Sequence, residues 1–294
     1  MSPAADSSAP LRRGPLARLH STFQIAPATL FILVFAIAPL GLFLVYSFWD
    51  VENYDIVSNW NFENWKLIVQ DEVYRDSLIN TIRIAGFAAA IATVVAYLFA
   101  HAMRFHLRRW QETLLFLVII ALFSGYLVRI FAWRTLLGDK GIINEMLIKI
   151  GLIDEPLTFL LYNRTAAVIV LANFLVPLAI LPIYSSLQNI DEREVHAARD
   201  LGCTAWGAFR RVTLPLAWPG IAAAFALTFI IASADYLTPR LVGGVEGTMI
   251  GQTIATTFLD TFDWPAGAAV AFSALIVTLL IVTAVRYAGM KVLR

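Results

Sequence analysis

Charge is what this sequence has least of. Only 15% of its 294 residues are Asp, Glu, Lys or Arg, whereas 59% are hydrophobic, and the mean hydropathy is +0.72. A soluble domain carries about 25% charged and about 45–50% apolar residues. Too little charge remains to cover a water-facing surface, and the composition equally excludes a disordered chain and a collagen-like repeat. Cysteine is nearly absent: Cys203, the single one, cannot form an intrachain disulfide or alone build a structural zinc site. The formal net charge of +1 lacks the basic footprint of a nucleic-acid binder, so no nucleic-acid partner is expected. There is no G-x-x-x-x-G-K-S/T run, no H-E-x-x-H and no G-x-S-x-G. His20, His101, His106 and His196 show no metal-ligand spacing. The chain is expected to hold no cofactor, no metal and no catalytic residues of its own.

What is present is apolar sequence in long runs. A bilayer core about 30 Å thick is spanned by about 20 residues of helix. Six candidates fit, at about 23–49, 80–103, 112–133, 166–187, 216–236 and 266–287. Pro39 is expected to kink the first. Pro215 and Pro219 crowd the start of the fifth and suit a first helical turn. The expected class is an all-α, multi-pass membrane protein contacting lipid, with residues 1–22 as a tail and 23–290 as the membrane domain.

Six spans put both termini on one side, and basic residues fix which side that is. The terminal side carries 13 Lys/Arg against 6 acids, the opposite side 7 against 14. The expectation is cytoplasmic termini, with a near-zero net charge that conceals about +7 inside and −7 outside. Arg83, Arg129 and Asp235 are the charges left at membrane depth. An acid there is a functional-site candidate by default. Asp235 beside Tyr236 offers a carboxylate and an aromatic face for an ammonium group. Tyr126, Trp133 and Phe174 offer further aromatic walls, and Asn173 a hydrogen-bonding group. The alternative for Asp235 is pairing with Arg129 or capping a break before Pro239. Arg129 could equally neutralise an acid or read a solute carboxylate.

The longest inner segment, Asn189 to Ile221, reads NIDEREVHAARDLGCTAWGAFRRVTLPLAWPGI. Asp191 is a plausible N-cap, with Glu192 and Glu194 early and Arg199 late, as the helix dipole favours. Ala197 and Ala198 make one face small, and Gly202 can end the helix without a β-carbon penalty. A short cytoplasmic helix over about 191–203 is expected.

His196-Ala-Ala-Arg-Asp-Leu-Gly202 followed by Val212-Thr-Leu-Pro215 resembles the cytoplasmic coupling motif of bacterial ABC importer permeases, with His196 at the family's glutamate position. The stretches SLINTIRIA from Ser77, VRIFAWRTLLGDKGIINEML from Val128, LPIYSSLQNID from Leu181 and ADYLTPRLVGGVEGTMIGQTI from Ala234 are similar to the spermidine/putrescine branch of that family. The resemblance implies a type I importer fold with six spans and a coupling helix. Glu194, His196, Ala197, Ala198, Arg199, Asp200, Gly202, Leu214 and Pro215 would contact the ATPase. Tyr126, Arg129, Trp133, Asn173, Phe174, Asp235 and Tyr236 would line the solute path. It further implies a dimer of separate ATPase subunits binding ATP and Mg, a second permease subunit, identical or similar, and a periplasmic solute-binding protein. The solute would be a polyamine or related organic cation, or an amino-acid or opine-like derivative. An ion-driven secondary carrier is the competing class.

Overall fold

The computed structural model describes residues 27–292. The expected tail at 1–22 and the first residues of the first span, from Phe23, lie outside them. Five helices are long and apolar enough to cross a membrane, and six spans result if one sharply bent pair is counted as one.

The first span, α1 (Pro27–Tyr46), is apolar all round, and none of it is buried within the chain. A π turn at Leu33–Ile37 lies just ahead of Pro39, where the missing N–H removes a rung of the helical ladder. A hairpin follows, β1 (Asp50–Glu52) against β2 (Asp55–Val57), antiparallel, with Asp50 opposite Val57. Its two turn residues, Asn53 and Tyr54, both adopt positive φ (52° and 67°), as a tight two-residue hairpin turn requires. Short α2 (Glu63–Gln70) leads into α3 (Glu72–Phe105), capped by Asp71, whose carboxylate accepts from Val73 N at 2.7 Å.

The core is a three-helix unit of α3, α7 (Arg164–Gln188) and α9 (Ala205–Ser233). Alanine makes it possible. Ala85, Ala88, Ala89, Ala92, Ala96 and Ala100 fall at helical spacing on one face of α3 and are fully buried. Ala167 and Ala179 of α7 and Ala217, Ala224 and Ala232 of α9 join them. Small side chains let helices approach closely where lipid supplies no hydrophobic drive for association. Gly220 of α9 crosses α7 so tightly that a β-carbon there would collide with Ser186 and the Pro182 carbonyl. The last span, α11 (Trp264–Val292), flanks this unit and packs against α9 and α1.

Two features depart from the sequence expectation. Residues 112–133 are not one helix. They divide into α4 (Gln111–Phe123) and α5 (Tyr126–Leu137), bent by 88° between them. Thirteen residues of α4 rise about 20 Å at about 1.5 Å each, short of a full crossing. Ser124 and Gly125 both take extended conformations and end the helix. The carbonyls freed there are not left bare, because Arg129 reaches back from α5 and donates to the Ala121 carbonyl at 2.5 Å. The second departure is at the fifth span, whose helix starts at Ala205 rather than Leu216 and ends at Ser233. A π turn at Phe209–Thr213 widens the ladder just before Pro215, which has no N–H to return to the Arg211 carbonyl. Asp235 and Tyr236 therefore lie beyond the helix end. Between the spans, α6 (Ile142–Lys149) occupies the amphipathic stretch before Gly151, and α10 (Ile250–Leu259) precedes α11.

Candidate functional site

The segment between α7 and α9 folds as a helix capped at both ends. In α8 (Glu192–Asp200), the Asp191 carboxylate accepts from Arg193 N at 2.9 Å. At the other end Gly202 takes φ +89°. Cys203 N donates to Ala198 O at 3.1 Å and Gly202 N to Arg199 O at 2.9 Å, the paired bonds of a Schellman motif. Thr204 then caps α9, its hydroxyl accepting from Gly207 N at 3.1 Å. Only Gly202 and Cys203 separate one cap from the next, so α8 and the 29-residue α9 are joined by a short link with its backbone groups engaged.

A salt-bridge clamp fixes the start of α8. Glu192 Oε1 accepts from Arg104 Nη1 at 3.0 Å, in the last turn of α3, and from Arg108 Nη1 at 3.4 Å, in the short 3-10 turn that follows it. Arg104 Nη2 also reaches the Ile190 carbonyl at 3.5 Å. A polar cavity of about 600 Å³ lies beside this clamp, lined by Asp191, Arg193 and His196 as well. Val195 turns inward onto the core. Glu194, His196, Ala197, Arg199 and Asp200 are exposed, Ala198 is half-buried, and no residue of α8 is buried. This helix presents its side chains outward while its ends are held. Leu214 and Pro215 lie half-buried where α9 leaves its π turn.

The second cluster gathers where α5, α7 and the end of α9 meet. Asp235 Oδ2 accepts from the Tyr126 hydroxyl at 2.5 Å, and its Oδ1 accepts from Leu237 N at 3.0 Å. The Tyr126 hydroxyl also lies 2.7 Å from Thr238 Oγ1. Phe174 packs against Tyr126, ring centroids 4.6 Å apart, and carries the Arg129 guanidinium over its other neighbourhood at 5.5 Å. Tyr126, Arg129, Phe174 and Asp235 are thus brought together. Trp133 is one step removed, packing with Tyr126 on the apolar cluster around Ile130, Val170 and Val242. Asn173 and Tyr236 are exposed. Asp235 and Arg129 do not pair: the acid is held by Tyr126 and its own turn, and the cation by Phe174 and the end of α4.

Sequence reasoning missed Thr238, which has no periodic signal. It also counted Arg104 and Arg108 only as interior-side charges. Their i,i+4 spacing at a helix end, followed by an acid in the first turn of a later helix, was the available cue.

Five apolar spans, six with the bent pair counted as one, around an alanine-rich core, with an outward-facing helix clamped to one end, define a multi-pass membrane permease. The chain belongs to the family of binding-protein-dependent transport system inner membrane components, whose family model matches residues 92–293. It is an ABC importer permease subunit, a multi-pass inner-membrane component, with the ATPase a separate subunit. The spermidine/putrescine transport system permease protein PotB of Haemophilus influenzae is 34% identical over 210 residues, covering 71% of this chain and 73% of that protein. PotC of the same organism, another spermidine/putrescine transport system permease protein, is 27% identical over 188 residues, covering 64% of this chain and 65% of PotC. In fold, the chain is similar to one in the crystal structure of a bacterial alginate ABC transporter bound to its pentasaccharide-loaded periplasmic protein. The TM-score is 0.74 at 17% identity, covering 94% of this chain and 95% of that one.

Proposed function

We propose that this permease imports a polyamine, spermidine- or putrescine-like, or a closely related organic cation. The observation that carries the solute class is the 34% identity to a permease named for spermidine and putrescine, extending over 73% of its length. The Asp235 cluster agrees with it chemically. A carboxylate beside the Tyr126 ring can hold an ammonium by charge and by ring contact, the latter worth about 0.5–2 kcal/mol. Both termini are cytoplasmic in this reading, and α8, with Leu214 and Pro215 behind it, docks against an ATPase dimer that binds ATP and Mg. The likeness to both PotB and PotC supports a non-identical second permease as partner, with the solute crossing between the two chains. A periplasmic binding protein delivers the solute. ATP and the loaded binding protein must stabilise different access states of the permease pair, since only differential binding shifts such an equilibrium.

The test is uptake of labelled spermidine and putrescine into liposomes holding the assembled transporter. ATP-dependent uptake is expected, with none from this chain alone under an ion gradient. Asp235→Asn is expected to weaken uptake at least tenfold without disturbing assembly, on the scale of a lost charge-assisted contact of about 1.5–3 kcal/mol. Unchanged uptake kinetics would remove Asp235 from the path.

A further inference from the structure

The N-terminal end of α3 and one face of α10 line a cavity of about 360 Å³ that the Asp235 cluster does not include. Asp71, Tyr74, Gln252, Thr253, Thr257 and Thr261 contribute to its wall, and no Lys, Arg or His does. Its chemistry leans towards acceptors, although the Gln252 amide nitrogen and the Tyr74 and Thr256 hydroxyls can also donate. A threonine hydroxyl has one proton and two lone pairs. Thr253 spends its proton on the Met249 carbonyl (3.4 Å), Thr257 on the Thr253 carbonyl (2.9 Å) and Thr261 on the Thr257 carbonyl (2.9 Å). What these hydroxyls retain is acceptor capacity. Gln252 Oε1 is buried and meets no donor among the described residues. Asp71 uses Oδ1 to cap α3 and keeps its charge and its other oxygen. Arg75, one turn along α3, is engaged by Glu72 at 3.7 Å and Asp76 at 3.8 Å.

A carboxylate, an orphaned amide oxygen, a ladder of hydroxyl lone pairs and the Tyr74 ring share one need, a cation with several N–H donors. The cavity is also tied to the Asp235 cluster. Ile250 N donates to Thr81 Oγ1 of α3 at 2.7 Å. Gly251 lies so close behind Asp235 that a β-carbon on it would stand 2.7 Å from the Asp235 carbonyl oxygen. Gln252 is the next residue, so the start of α10 has the cavity on one side and the Asp235 backbone on the other.

We propose that this cavity binds the alkylammonium group of a free amine, as a waiting site ahead of Asp235. The waiting role rests on the transport reading above; the binding does not. The measurement is equilibrium binding of labelled putrescine to the purified full chain and to the assembled transporter. Asp71→Asn removes the charge yet keeps a side chain that caps a helix as well, so about tenfold weaker binding is expected without loss of fold. Gln252→Glu sets a second carboxylate at the unpaired oxygen and is expected to tighten binding about tenfold. Putrescine affinity unchanged in both variants overturns the site. So does a pattern in which only capture of the binding protein weakens, which would make the cavity a protein contact. If the transporter fails to import polyamines while Asp71-dependent putrescine binding persists, the transport reading falls and the site stands.

Discussion

Glu192 holds α8 against α3, and its removal should loosen the helix proposed above to dock on the ATPase. The perturbation is Glu192→Gln, which keeps shape and removes charge. Its two partners differ in setting: the Arg104 side chain is 14% exposed and Arg108 is 72% exposed. A pair as open as Glu192–Arg108 contributes about 0–1 kcal/mol. The sheltered Arg104 contact is on the scale of a hydrogen bond between charged groups, about 1.5–3 kcal/mol. The acid also complements the α8 dipole, by about 0.3–1 kcal/mol. Because Glu192 is itself 39% exposed, solvent screening puts the total at the low end of these figures, near 2 kcal/mol, about thirtyfold in the undocked population of α8. Hydrogen exchange of the amides in residues 192–200 of the assembled transporter reads that population directly. The expected result is about thirtyfold faster exchange in Glu192→Gln, nearly as much in Arg104→Gln, and about fivefold or less in Arg108→Gln. High salt should close the gap between wild type and Arg108→Gln but leave Arg104→Gln unaffected, since screening acts on the exposed pair. Equal effects of the two arginine variants, or unchanged protection in Glu192→Gln, would refute the clamp.

Two further outcomes follow from the geometry. Gly202→Val places a β-branched residue at φ +89°, where the left-handed cost is about 1–2 kcal/mol or more. ATP-driven uptake should fall relative to ATP hydrolysis, and uptake and hydrolysis reduced in proportion would argue against a transmission role for that cap. Thr81→Val removes the buried acceptor of Ile250 N and leaves that N–H unpaired, a loss of about 1–3 kcal/mol. A clearly lower melting temperature of the purified chain is expected, and no change would mean that α10 finds another anchor.

The spans were legible because twenty apolar residues in a row have few other uses, and α8 because Asp191 and Gly202 are cap residues in the right order. The break in the third span was not read, although Ser124–Gly125 stands in its middle. A Ser–Gly pair permits a bend without demanding one, and here the bend is held by Arg129, four residues beyond it. The same contact explains why Arg129 looked like a charge stranded in the membrane: without the bend there is no helix end for it to cap. Asp235 was read from sequence as an acid beside Tyr236, but the hydroxyl that bonds it belongs to Tyr126, 109 residues upstream, which also meets Thr238. No local periodicity encodes that pairing.

The bend has a consequence for how the protein is made. During synthesis, residues 111–137 leave the ribosome as one linear, largely apolar stretch, interrupted near its middle by Ser124–Gly125 and Arg129. Insertion machinery that weighs hydrophobicity along such a window registers a single crossing. The corner can form only afterwards, once α7 and the end of α9 are present to receive Tyr126 and Phe174 has met Arg129. The carboxylate cluster is therefore a late product of biogenesis. A nascent permease truncated before Asp235 would carry Tyr126, Phe174 and Arg129 and still lack the carboxylate that joins them.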